Sequence, residues 1–283
     1  MKNRLLLSTA AAAAIILVAC APAQLASTAY AQEGTRISGG DIRMTLNETG
    51  DARLTGADIR VSGTVGGELR TTGADITMSA MSVGSLRATG ADIRFEGAVG
   101  SDARVTGADI SWTGPVGGDF TARGADLRFE GDVVGAFDAN LADGRISGSM
   151  ASLRVNAADL QLSEDSAIHG DARINAADLI VAGRIDGALR ANVRTAAISG
   201  QIAGPLDIMA DEGRGWRLRG RNGRVEISGT VEGGEICAHT VVISGTVTGT
   251  LNVRATEPVV IEPGASAPGL AYTPRGDERC SRR

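Results

Sequence analysis

From Arg53 to Ser147 small or apolar positions alternate with polar ones in short runs, and the runs are separated by glycine. Residues 57–73, A-D-I-R-V-S-G-T-V-G-G-E-L-R-T-T-G, are representative. Ala57, Ile59 and Val61 fall on one side of an extended strand, and Asp58 and Arg60 on the other. After Gly63, Val65 and Gly66-Gly67, a second alternation sets Leu69 and Thr71 against Glu68 and Arg70. A period of two predicts strands. Helical spacing is absent, and each glycine would weaken a helix by about 1 kcal/mol. The unit therefore predicts two or three short strands joined by glycine turns.

The unit recurs. Gly56-Ala57-Asp58-Ile59 returns at Gly73, Gly90, Gly107 and, with Leu127 for Ile, at Gly124. Its Asp keeps a spacing of seventeen through Asp41, Asp58, Asp75, Asp92, Asp109, Asp126 and Asp143. A unit this short cannot bury its own apolar side and must stack on copies of itself. The prediction is an all-β chain folded as a single-stranded parallel β-helix, or β-solenoid, of about 17 residues per rung. Rungs about 4.8 Å apart give about thirteen turns and a rod of roughly 60 Å. Inward columns are expected at Val61, Met78, Phe95, Trp112, Phe129 and Ile146, and at Ile59, Ile76, Ile93, Ile110 and Leu127. The Ala before each Asp is expected inside a tight corner.

Past Asp143 the period loosens. Asn156-Ala157-Ala158-Asp159 and Asn175-Ala176-Ala177-Asp178 place their Asp nineteen apart, which predicts a turn enlarged by two residues with Asn in a left-handed backbone position. Residues 207–224 predict an irregular rung. Val225–Glu262 restores the pattern with an expected spacing of seventeen. Pro258, Pro263, Pro268 and Pro274 are expected to end the ladder, because proline donates no hydrogen bond to it. The predicted organisation is an export segment over 1–31, the β-helix over 34–264 and a disordered tail over 265–283.

The phrase V-x-I-S-G-T-V-x-G over Val225–Glu262 resembles the bactofilins, polymer-forming bacterial cytoskeletal proteins. That resemblance implies a right-handed, three-sided β-helix joining end to end, with no catalytic residues to carry over. The Gly-Ala-Asp-Ile phrase is similar to the repeats of exported adhesins built from β-strands. Both families imply a β-solenoid.

The N-terminus changes the compartment. Lys2 and Arg4 precede the apolar stretch Leu5–Ala19, which is too short for a comfortable membrane span. Leu17-Val18-Ala19-Cys20 resembles a lipobox in which Cys20 is lipidated; Ala29-Tyr30-Ala31 resembles an ordinary signal-peptidase site. Either predicts export, to the periplasm or to an outer-membrane anchor. Cys237 and Cys280 then either form a disulfide tying the tail to the last rungs, or remain a buried rung thiol and a free tail thiol.

Without Lys2 and Arg4, 26 basic residues face 33 acidic ones, a net charge of −7. An acidic chain with 3% aromatic residues gives no support to nucleic-acid binding. Arg214, Arg217, Arg219 and Arg221 form the one basic cluster, a candidate contact for phosphate-bearing lipid or another anionic polymer, or for the chain's own acidic columns. Stacked Asp side chains repel by roughly 1 kcal/mol per neighbouring pair even in water. Three arrangements offset this: ion pairs with Arg43, Arg60, Arg94, Arg128 and Arg145 two residues on; hydrogen bonds from corner N–H groups; or calcium. Cys237-Ala238-His239 has too few partners for zinc. No nucleophile elbow, P-loop or dinucleotide fingerprint is present, and the carboxylates recur on every rung where a catalytic pair would be singular. The expectation is a non-enzymatic chain needing no cofactor or metal, either a self-associating scaffold or an adhesin-like binding surface.

Overall fold

In the computed structural model residues 34–210, 223–276 and Cys280 are described. They form strands and turns with no helix, and every strand pairing is parallel. The chain winds as a β-solenoid of about 13 turns, each carrying up to three strand segments. The row Asp41↔Asp58↔Asp75↔Asp92↔Asp109↔Asp126↔Asp143 is in unbroken register and continues through Asp159, Asp178 and Thr195. The export segment with Cys20 lies outside the described residues, as do Arg214, Arg217, Arg219 and Arg221.

The core is one narrow column. Ile59, Ile76, Ile93, Ile110 and Leu127 stack in one row and Val61, Met78, Phe95, Trp112, Phe129 and Ile146 in the next, all buried. Burying each large apolar side chain contributes about 1.5–3 kcal/mol, and only the rungs above and below supply that burial. Midway the column widens to take aromatics. Phe95 stacks on Trp112 with ring centroids 4.0 Å apart, and Phe120, Phe129 and Phe137 pack against one another and Trp112. The buried indole N–H donates to Gly114 O at 2.9 Å. Gly114 has φ +127°, a conformation that turns its carbonyl where a side chain would be strained.

Several expectations need correction. The Ala of the repeated phrase is outside: Ala57, Ala74, Ala91, Ala108 and Ala125 are exposed. The chain bends at that residue, so alternation does not run through it. Ala74 N and Asp75 N both donate to Ala57 O, at 2.8 and 3.0 Å, and the same fork repeats a rung later from Ala91 and Asp92 to Ala74 O. Asn156 and Asn175 are not left-handed; the one non-glycine residue with positive φ among the described residues is Ala80, an extra residue between Ser79 and Met81. The enlarged turn lies instead at 163–166, where Leu162 and Ser166 span what Ile146 and Gly148 span one rung earlier. Buried Ser166 closes it by donating to Ser163 O at 2.7 Å.

The irregular segment is narrower than 207–224. Leu206–Ala210 and Arg224–Ile227 both pair in register with the rungs before and after. The last rungs align Ile227 with Ile243 and Thr230 with Thr246, a spacing of sixteen rather than seventeen. The prolines do not end the ladder, and the segment expected to be a disordered tail over 265–283 carries a strand. Gly269–Pro274 pairs parallel with Thr250–Ala255. The prolines fall between strands or on the last strand, beside whose outer edge no strand lies among the described residues.

Candidate functional site

A groove of about 710 Å³ runs along the Asp row, from Asp75 to Asp178. Its floor is the Ile76–Leu160 row. Its walls are the Asp row and the outward positions two residues on, among them Arg94, Arg128 and Ile180. Gly144 replaces the aliphatic residue of the floor, and Leu141 and Leu160 close over the gap it leaves. Side chains two apart on a strand share a face, so the sequence period alone generates both walls.

Arginine does not neutralise Asp41 to Asp143. Among the described residues the ion pairs run elsewhere: Arg70 and Arg87 to Glu68, Arg128 to Glu130, Arg184 to Asp186. Arg128 lies two residues from both Asp126 and Glu130 and turns to the longer Glu, 2.6 Å away. Arg145 donates to Gln161 at 3.2 Å. The end of the row is tied down, where Asp178 accepts hydrogen bonds from Thr195 and Arg194. Partial desolvation works against the charge of Asp178, but those two bonds and the Arg194 charge together hold its carboxyl below the usual carboxylate range. Asp159, between Asp143 and Asp178, goes the other way. Partial desolvation, then the two neighbouring charges, raise it.

The hydrogen bonding to backbone N–H groups expected of this row belongs to a different set of aspartates. Asp51, Asp102, Asp119, Asp132 and Asp171 each accept the amide of the residue seventeen ahead, at 2.8–3.1 Å. Asp51, Asp102, Asp119 and Asp171 lie just before the third strand segment of a turn and Asp132 just before the second, each beneath a glycine-bearing bend of the next. Their signal was present in Gly66-Gly67 and Gly117-Gly118, because a carboxylate reaching up a rung needs a residue without Cβ above it.

A second recurring set lies across the corner from the Asp row. Asn156 donates to Asn140, Asn175 to Asn156 and Asn192 to Asn175, at 2.6–2.8 Å. This amide ladder replaces the Thr55, Thr72, Thr89 and Thr106 of the earlier rungs, and it explains the Asn of the variant phrase.

Stacking also assembles a relay that the sequence conceals. Ser149 Oγ is 3.0 Å from His169 Nε2, and His169 Nδ1 is 3.2 Å from Asp186 Oδ2. The bond to His169, and then Arg184, hold Asp186 below the usual carboxylate range. Spacings of twenty and seventeen residues hide these three groups, and His169 looks isolated in the chain. The arrangement has the connectivity of a serine-nucleophile triad, but its surroundings do not complete one. The imidazole is 61% exposed and lies outside the groove. The amides beside it are occupied: Ser149 N donates to Asp132 and His169 N to Met150 O, so neither serves a developing oxyanion.

Cys237 and Cys280 are joined, with Sγ atoms 2.12 Å apart. Among the described residues no group of three or more His, Cys, Asp or Glu side chains is placed to hold a metal ion. No family model, curated protein or solved structure matches the chain, so its recurring columns and not a relative must carry the functional reading.

Proposed function

We propose that this chain is a non-enzymatic structural rod of the bacterial cell envelope that self-associates through an end. The observation that supports this most directly is the last turn. Its inward-facing Ile261 and Tyr272 remain 48% and 37% exposed, whereas the residues beneath them, Ile243 and Val253, are fully buried. A strand edge with open apolar residues is a template for another chain. The resemblance of Val225–Glu262 to polymer-forming β-helix proteins agrees with this reading. The Cys237–Cys280 bridge agrees with export to an oxidising compartment, and the lipobox ending at Cys20 supplies an anchor.

A second reading, an adhesin-like binding module, is favoured by the groove. Seven aspartates from Asp75 to Asp178 line it at one-rung intervals, which suits an extended cationic partner or polymer. Negative-stain microscopy of purified mature protein separates the two. End-joined rods support the structural element; single rods at every concentration, with saturable binding of a cationic polymer, support the binding module. Labelled palmitate incorporation that disappears in Cys20→Ser tests the anchor, and its absence from the unsubstituted chain overturns it.

A further inference from the structure

The two ends of the rod differ. At the first turn the inward positions are largely covered: Ile42, Leu46 and Glu48 are 5%, 2% and 4% exposed. Ile37 and Met44 are partly buried against the core. At the last turn Ile261 and Tyr272 stand open, with Leu270 half-buried between the same columns. Among the described residues Val260–Ile261 and Gly269–Pro274 each have a strand partner on one side only.

Glu48 sharpens the contrast. It occupies an inward row that continues as Val65, Val83, Val99, Val116 and Val133 and stays aliphatic to Val247. Its carboxyl is held by the Thr35 hydroxyl at 2.8 Å. A head-to-tail joint would lay the open apolar end of one copy on a turn that has little apolar surface left and a carboxyl in its core row. Two C-terminal ends have no such conflict. Exposed Glu262 follows Val260–Ile261, while half-buried Arg275, which donates to Thr256 and to Cys280 Sγ, lies over the corner that exposed Glu257 occupies one rung below. A two-fold axis in the end plane, through that corner between the Gly269–Pro274 and Val260–Ile261 sides, lays the first side of each copy on the second side of the other and brings Glu257 of each copy near Arg275 of the other. It also makes the facing edge strands antiparallel.

We propose that two copies of this chain join C-terminal turn to C-terminal turn about a two-fold axis, giving a rod of double length and not a filament. This rests on the self-association reading above and names its surface. One rung end offers well under the roughly 800 Å² per partner of a standard interface, so the dimer is weak.

The test is mass measurement by light scattering across a concentration series reaching tens of micromolar, on the mature oxidised chain, with negative-stain imaging. The expected result is a mass rising from one chain to two and stopping, with rods of twice the length. The double variant Ile261→Lys/Tyr272→Lys should abolish the rise, while Val134→Lys on the rod's side should not; circular dichroism checks that each is folded. A photo-crosslinker in place of Glu262 reports independently of those variants. Links to residues 257–276 of a second copy support the C-terminal joint. Links to residues 34–48, or filaments of indefinite length, overturn it and leave self-association standing. A single-chain mass at every concentration overturns both.

Discussion

The amide of Asp119 donates to Asp102 Oδ1 at 3.0 Å, and Asp119 in turn receives the amide of Ala136 on its own Oδ1 at 2.8 Å. Three successive turns are thereby linked by carboxylates reaching upward at one corner. The approach is possible because Gly135 sits over Asp119; a Cβ there would lie 2.2 Å from the same oxygen. Asp119→Ala should destabilise by about 1–2 kcal/mol, the value of a charge-assisted bond at an exposed site. Gly135→Ala should cost at least as much, because the carboxylate must leave its amide. Urea midpoints of the two variants check this; a midpoint unchanged in Asp119→Ala would show that the contact is not stabilising.

Trp112 is the largest side chain in the column and is fully buried with its N–H satisfied. Trp112→Ala should cost about 3–5 kcal/mol. Trp112→Phe should cost less, losing the bond to Gly114 but keeping the stack on Phe95. Thermal melts of the two variants should rank in that order.

Ala80, at φ +49°, is the one described non-glycine residue in the left-handed region. Its conformation costs roughly 1–2 kcal/mol for a residue with Cβ, partly offset in glycine by chain entropy. Ala80→Gly should stabilise by up to about 1 kcal/mol. A lower melting temperature in that variant would contradict the backbone assignment.

The paired aspartates make opposite pH predictions. The folded-state value of Asp159 is raised, so its contribution is greatest when it is protonated and is lost as pH rises through that raised value. Asp178 is lowered, so its contribution is present above the ordinary carboxylate range and is lost as pH falls through its lowered value. Asp159→Asn should therefore raise the melting temperature at pH 7, with a gain below about 1 kcal/mol that shrinks on acidification. Asp178→Asn should lower it at pH 7 and converge with the unsubstituted chain in acid. Melting curves from pH 3 to pH 8 distinguish the two profiles.

The Cys237–Cys280 bridge closes a span of 43 residues around the last turns. Arg275 lies against the same site, donating to Thr256. Removing the bridge with Cys237→Ser/Cys280→Ser should cost about 2–4 kcal/mol. The loss should be local. Amide exchange should accelerate across Gly269–Pro274 and stay unchanged near Trp112.

The period of Asp41 through Asp143 was enough to predict the solenoid, its register and both inward columns, because a stacked repeat converts sequence spacing directly into contact. Local exceptions were harder to read. Ala57 and its equivalents look apolar and hence inward, but a bending backbone interrupts the alternation at that residue. The Asn of the variant phrase was legible as a departure but not as a ladder, since one amide gives no hint that its partner lies sixteen or nineteen residues away. The pairing of Arg128 with Glu130 turns on which of two equally spaced acids the guanidinium reaches, and the meeting of Ser149 with His169 on side-chain reach across rungs whose spacing varies. Such contacts leave no periodic trace.

The asparagine ladder has a direction. Every amide from Asn156 to Asn192 gives its hydrogen to the neighbour on the N-terminal side, so their small dipoles add along the rod instead of cancelling. The oxygen of Asn192 is left buried without a donor, because the next residue in that row is Met209. The row is thus a one-way chain with a vacant hook, and an asparagine at position 209 is the link that would lengthen it.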